Sequence, residues 1–248
     1  MSSLYRSMCL ITSPGVTGSA VSRAGGVSPA PYGPLNLSFG VGDAEANVRE
    51  NRQRLKVELG ISVLASARQV HGDAVWVIDH PLAQDTEERG YDALVTDQPG
   101  LGLLIQQADC QAVLLHDPVR RVVAAIHAGW RGSVAGIIGK TIRTMTERFN
   151  TVPADLAAAI SPSLGPCCAE FVNYLTELPE SFHGYQVAPN HFDFWAISRD
   201  QLHQAGVREE RIETARICTR CCPDYFSFRR ERVTGRFGSV IMLSPLAA

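Results

Sequence analysis

Short apolar runs, each closed by a polar or glycine-containing turn, set the pattern through the middle of this chain. Residues 61–70 (ISVLASARQV) and 74–79 (AVWVID) read as strands, with HGD as a tight turn between them. QDTEERG at 84–90 reads as a solvated loop and YDALVTD at 91–97 as a short strand. LGLLIQQ at 101–107, AVLLHD at 112–117 and RVVAAIHA at 121–128 follow closely, which predicts a sheet with tight connections. The period then changes. Over 133–149, Val134, Ile137, Ile138, Ile142 and Met145 recur at spacings of three and four, predicting a helix with Ser133 as N-cap. A second helix is predicted over 192–206, ending at Gly206. A third spans 44–59 between a capping Asp43 and Gly60, although Leu55, Val57 and Leu59 define its inner face only in part. Segments 156–165, 211–217 and 239–243 complete the expected strands. The first 45 residues, rich in Gly, Pro and Ser, read as loops around short strands, and 174–190 as an insertion-like loop. No repeat period appears. The expectation is an α+β fold: one domain over 1–248, with a mixed β-sheet core, flanking helices and a sandwich-like form.

Composition narrows the functional classes. Of 248 residues, 45% are hydrophobic, enough for a sizeable core. A formal net charge of -2 argues against a nucleic-acid binder working by bulk electrostatics. No apolar run is long enough to span a bilayer, and the start lacks the apolar stretch of a secretory leader. Seven cysteines, an odd number, fit a reducing compartment better than a disulfide framework. These features predict a cytoplasmic protein with no membrane, nucleic-acid or obligate protein partner.

Three segments end or turn on reactive groups: QVHG (69–72), QADC (107–110) and AAIHAGWRG (124–132). Two histidines and a cysteine from separate strand ends, His71, Cys110 and His127, make a nitrogen–sulfur donor set with room for an open position, as catalytic zinc requires. The same residues also admit a Cys–His dyad in which His127 activates Cys110 as nucleophile. Either residue alone ordinarily packs in a core, but Asp109, Trp130 and Arg131 flank the pair, and charged groups are seldom buried unpaired. Asp109 is placed to orient a histidine from behind, with Asp73 and Asp92 as weaker alternatives that also fit simple turn roles. Arg131 suits an anion or a surface ion pair.

Other signals fade on inspection. Cys167–Cys168 and Cys218, Cys221 and Cys222 contain one CxxC, at 218–221, but the opposing half is CC. Adjacent residues rarely both reach one metal, so the pattern argues against a structural zinc, and no thioredoxin-like context supports a redox role. GKT at 139–141 lacks the leading glycine of a phosphate loop and lies inside a predicted helix. HExxH, GxSxG and the zinc deaminase signature are absent.

Taken together, SRAGGVSPAPYGPLNLSFGVGD (22–43), NR (51–52), QVHG (69–72), DALVTD (92–97), QQADC (106–110), AAIHAGWRG (124–132), GPCC (165–168), FDFWAISRDQL (192–202), CT (218–219) and YFSFRRERVTGRFGSVIML (225–243) form a specific set covering nearly the whole chain. On these motifs the sequence resembles the bacterial laccase-domain (multicopper polyphenol oxidase-like) family of purine nucleoside phosphorylases, also called peptidoglycan editing factor. The resemblance implies zinc on His71, Cys110 and His127 and a mixed α/β sandwich-like core. It also implies purine nucleosides and phosphate as substrates (adenosine, inosine, guanosine and methylthioadenosine) with accompanying adenosine deaminase activity. For such a reaction Arg131 and one of Arg23, Arg52 or Arg229 are expected to neutralise phosphate, with Asn36 and Ser22 bonding sugar or anion. The family commonly has a histidine before VGD, where this chain has Phe39–Gly40. The rivals are a Cys–His hydrolase or amidase acting on peptidoglycan precursors, a polyphenol oxidase, and a non-catalytic binding protein. Seven histidines, four of them (His80, His183, His191 and His203) without a paired ligand signal, disfavour a multicopper oxidase.

Overall fold

The runs at 101–107, 111–117 and 122–128 are apolar almost throughout because both faces of these strands are covered. A computed structural model describes residues 7–11 and 15–245. Its strands are β1 (Ser7–Ile11), β2 (Val16–Val21), β3 (Val63–Arg68), β4 (Val75–Ile78), β5 (Thr86–Arg89), β6 (Ala93–Thr96), β7 (Leu101–Gln107), β8 (Gln111–Asp117), β9 (Val122–Ala128), β10 (Ala157–Ile160), β11 (Gln186–Ala188), β12 (His191–Phe192), β13 (Ile212–Thr214) and β14 (Phe237–Leu243). The helices are α1 (Glu45–Leu59), α2 (Trp130–Val134), α3 (Ile137–Phe149), α4 (Tyr174–Glu177), α5 (Glu180–His183), α6 (Phe194–Gln204) and α7 (Phe228–Glu231).

Two six-stranded mixed sheets form the core, in the orders β1-β2-β14-β7-β3-β5 and β13-β10-β8-β9-β6-β4. Between them lies one apolar layer, with Ala65, Leu103, Ile105 and Ile241 from the first meeting Leu94, Leu114, Val123 and Ala125 from the second. On the outer face of the second sheet, Ile137, Ile138, Ile142 and Met145 of α3 cover Val95, Val113, Leu115 and Ile126. Leu55 of α1 packs with Leu64, Leu104 and Val240 on the outer face of the first sheet. The expected α+β sandwich with flanking helices is the observed fold.

Several local expectations need correction. Segments 61–70 and 74–79 are strands but not a hairpin: β3 and β4 lie in different sheets, each in a parallel pair. β7 and β8 also lie in different sheets, so the tight turn between them is a crossing from one sheet to the other. The polar stretch at 84–90 contains edge strand β5, which pairs with β3 and whose Glu87 binds Arg52, Ser66 and Gln106. Residues 133–149 are not one helix. Gly136 adopts φ 75°, the left-handed region, and separates α2 from α3, so Ser133 falls inside α2. Asp43 binds Asn47 through its side chain and does not cap α1. The inner face of α1 is half polar: Val48 and Leu55 are buried there with Asn51 and Arg52. Segment 174–190 is built of α4, α5 and β11, held by Leu178, Phe182, Phe192 and Phe194.

Candidate metal centre in an aromatic and arginine-lined cleft

The end of the sandwich where the chain changes sheets gathers the three candidate donors. His71 follows β3 in the first sheet, Cys110 sits in the crossing from β7 to β8, and His127 is on β9 in the second sheet. One ligand atom from each lies within 4.8 Å of the others. The Cys110 Sγ to His71 Nε2 distance is 3.8 Å, near the roughly 3.6 Å spacing that tetrahedral zinc imposes on a sulfur–nitrogen pair.

The fixed point behind these donors is Asp92, fully buried just before β6. Its carboxylate accepts the backbone N–H groups of Val70 (3.1 Å), His71 (2.9 Å) and Gly72 (2.8 Å), and Nδ1–H of His127 at 2.8 Å. One side chain thus holds the turn that bears His71 and aims Nε2 of His127 at the open side. Burial opposes its charge, but the His127 bond and the backbone donors outweigh burial and keep its pKa below the usual carboxylate value. His71 (φ 61°) and Asp109 (φ 87°) occupy the left-handed region, strain concentrated beside the donors. Gly129 is required by space: a Cβ there would lie 2.9 Å from His71 Cδ2 and 3.2 Å from Cys110 Sγ.

Cys110 and His127 polarise each other. Burial pushes the Cys110 thiol up, but His127 beside it and a bond from His71 bring it down to about 6. Burial pushes His127 down, but Cys110 and Asp92 raise it to about 9. Without metal, the two therefore form a thiolate–imidazolium pair between those values. A thiolate and two imidazoles form a donor set suited to a divalent metal ion, and an ion held there would take the place of a proton on His127. The donor set and the close approach at Gly129 fit such an ion.

The centre opens into a cleft of about 840 Å³. Aromatic rings of Phe39, Trp130, Phe171, Phe194 and Phe228 line it, with Arg68, Arg229 and Arg236 and the amides of Gln69, Gln106, Gln107 and Gln111. Arg236 is coupled electrostatically to Cys110 and Asp109, and its Nη1 donates to the carbonyls of Thr234 and Gly235. Gln107 Oε1 and Gln111 Nε2 are buried without a hydrogen-bond partner.

Among the polar residues singled out from the sequence, Arg229 and Asp109 line this cleft, but Asp109 does not orient a histidine. Its carboxylate accepts Thr219 Oγ1 at 2.7 Å and the Arg229 N–H at 2.6 Å. Asp73 is engaged by Lys140 on the surface, so the orienting role falls to Asp92. Arg131 is exposed and lies over the Trp130 ring, 4.3 Å from its centroid, outside the residues that line the cleft. Arg52 is buried against Glu87 and Leu37 O, and Arg23 pairs with Glu231 over Phe226; both are structural contacts. Ser22 accepts the Ala24 N–H, while Asn36 ties Ser38, Asp43 and Arg236 N, and neither is among the residues that line the cleft. Sequence reasoning missed Arg68 and Arg236. Their only local signal was that Arg68 directly precedes QVHG and that Arg236 lies within the motif at 225–243. Phe39, noted for replacing a histidine, is part of the wall.

Residues 18–244 match the family model described as multi-copper polyphenol oxidoreductase laccase. The protein named purine nucleoside phosphorylase ORF3 of Streptomyces griseus is 37% identical over 239 residues, covering 92% of this chain and 96% of that one. The crystal structure of hypothetical protein YfiH from Bacillus licheniformis superposes with a TM-score of 0.88 at 30% identity, covering 98% of this chain and 100% of the other. That of YlmD from Geobacillus stearothermophilus gives 0.86 at 31% identity, over 94% and 93% of the two chains.

Proposed function

The chain belongs to the multi-copper polyphenol oxidoreductase laccase family, and from that premise we propose that it is a zinc-dependent purine nucleoside phosphorylase that also deaminates adenosine. The observation that carries this reading is the joining of a His₂Cys donor set to a cleft with both aromatic faces and arginines. A purine needs flat apolar surfaces, and the rings of Trp130, Phe171 and Phe194 supply them. Phosphate needs fixed cations, and Arg229 and Arg236, which line the cleft where Arg131 does not, would supply them.

Phosphorolysis forms a bond from a phosphate oxygen to C1′ of the ribose and breaks the bond from C1′ to the purine. The electron pair leaves with the base, which takes a proton, giving ribose 1-phosphate and free purine. His71, Cys110 and His127 would hold the zinc, and a bound zinc supplies Lewis acidity for an oxygen at the open position. Arg236, in the same cleft as Cys110, would hold the anion, and its charge favours the Cys110 thiolate. Asp92 keeps both histidines in place throughout.

The supporting experiment is a comparison of variants. Cys110→Ala and His127→Ala should abolish release of hypoxanthine from inosine, and Arg236→Ala should raise KM for phosphate more than KM for inosine. Full activity in both metal-ligand variants would overturn the assignment. Arg131→Ala should leave the phosphate KM unchanged. A second reading, a zinc-free Cys–His hydrolase, is favoured by the thiolate–imidazolium pair. It requires activity that resists chelators and is lost on alkylation of Cys110.

A further inference from the structure

We propose that Cys167, Cys168, Cys218 and Cys221 form a second metal centre, a tetrahedral all-thiolate zinc site that fastens two loops to the wall of the cleft. Their four sulfurs lie within 4.8 Å of one another. Cys167 and Cys168 are 3.6 Å apart, Cys167 and Cys221 3.8 Å, and Cys168 and Cys221 3.5 Å. Zinc with bonds of about 2.3 Å sets tetrahedral sulfurs about 3.8 Å apart, whereas a disulfide needs about 2.05 Å. All four cysteines are free.

The backbone explains how adjacent cysteines reach one point. Cys168 and Ala169 donate N–H to Gly165 O, closing one turn. Cys221 and Cys222 donate to Cys218 O, closing a second. Ser163 and Cys218 form a parallel bridge that sets the turns side by side. Cys222 turns away and packs beside Ala108, Tyr225 and Phe237. Four ligands thus remain from five clustered cysteines.

All-sulfur tetrahedral coordination selects a thiophilic ion, and zinc closes it without redox chemistry. Each bound thiol releases its proton to solvent. Four thiolates on one zinc leave a net charge of -2, and Arg230 lies close by, donating from Nη1 to the carbonyls of Thr219, Arg220 and Cys222. The site also reaches the reaction centre. Asp109, next to Cys110, accepts Thr219 Oγ1 and the Arg229 N–H, while its carbonyl accepts the Leu164 N–H. Leu164, Ala169, Phe171 and Arg229 all line the cleft.

The inference is independent of the proposed reaction, and metal stoichiometry on the full chain separates the two. Elemental analysis and native mass spectrometry should find two zinc ions per wild-type chain. Cys110→Ala and the double variant Cys168→Ser/Cys221→Ser should each retain one. Cobalt added to metal-stripped Cys110→Ala protein should give the visible bands of a tetrahedral ion with sulfur-to-cobalt charge transfer, a readout that needs no change in the four-cysteine cluster. Zinc content unaltered by the double variant would overturn the proposal. So would iron in place of zinc, a disulfide among the four cysteines in non-reduced peptide maps, or cobalt without the tetrahedral signature.

Discussion

Asp92 carries more of the site than its single carboxylate suggests. It is fully buried and accepts four hydrogen bonds from groups that place His71 and His127. Asp92→Ala should lower zinc affinity about 10–100-fold by isothermal titration. It should also cost about 3–5 kcal/mol in denaturant unfolding, because buried donors lose their acceptor. Wild-type affinity in that variant would show that the histidines are held otherwise. A pH dependence follows from the pair in front of it. In metal-free protein, Cys110 is already a thiolate above about 6, while His127 keeps its proton up to about 9. Binding between those limits expels one proton from this pair, so its contribution to zinc affinity rises about tenfold per pH unit and levels off above them. As pH falls below the lower limit, Cys110 must lose a proton too and the affinity falls more steeply. Iodoacetamide modification of Cys110 in stripped protein should follow an apparent pKa near 6; a midpoint near the ordinary thiol value would contradict the pairing.

At the scale of elements, the crossing from β7 to β8 and the turn after β9 form the cup. Gly129, between β9 and α2, leaves the space filled by His71 and Cys110. Gly129→Ala should therefore reduce zinc content while leaving the far-ultraviolet circular dichroism unchanged; normal zinc content would show that the cup yields. The apolar runs that became β7, β8 and β9 were legible because burial on both faces demands continuous hydrophobicity. Strand β5 was hidden because it is an edge strand of charged residues, and its Glu87 is matched only by Arg52 of helix α1, far away in sequence. The break at Gly136 was hidden because Val134 falls in step with Ile137, Ile138, Ile142 and Met145 along the sequence, although in the fold it is exposed on α2 while they are buried on α3. His71, Cys110 and His127 were legible from residue type at strand ends. Arg236 and the four-cysteine cluster depend on long-range contacts, and the doubled Cys167–Cys168 pointed away from a metal until the turn at Gly165 set their direction.

For the whole molecule, the donors join both layers of the sandwich. His71 comes from the first sheet, His127 from the second, and Cys110 from the chain that crosses between them. A ligand bound only by the native arrangement stabilises by mass action, about 4 kcal/mol at free zinc a thousandfold above Kd. In the Cys168→Ser/Cys221→Ser background, where the cup alone remains, that corresponds to a rise of about 8–16 °C in Tm for a chain of this size. An unchanged Tm would mean that the cup does not bind zinc in the folded state. On the proposed function, this cup and its arginine-lined cleft transfer ribose from purine to phosphate, and phosphorus NMR of metal-quantified protein with inosine and phosphate reads that transfer. Ribose 1-phosphate should appear in step with hypoxanthine, and neither product should form without phosphate; free ribose, or hypoxanthine released at the same rate without phosphate, would overturn the assignment.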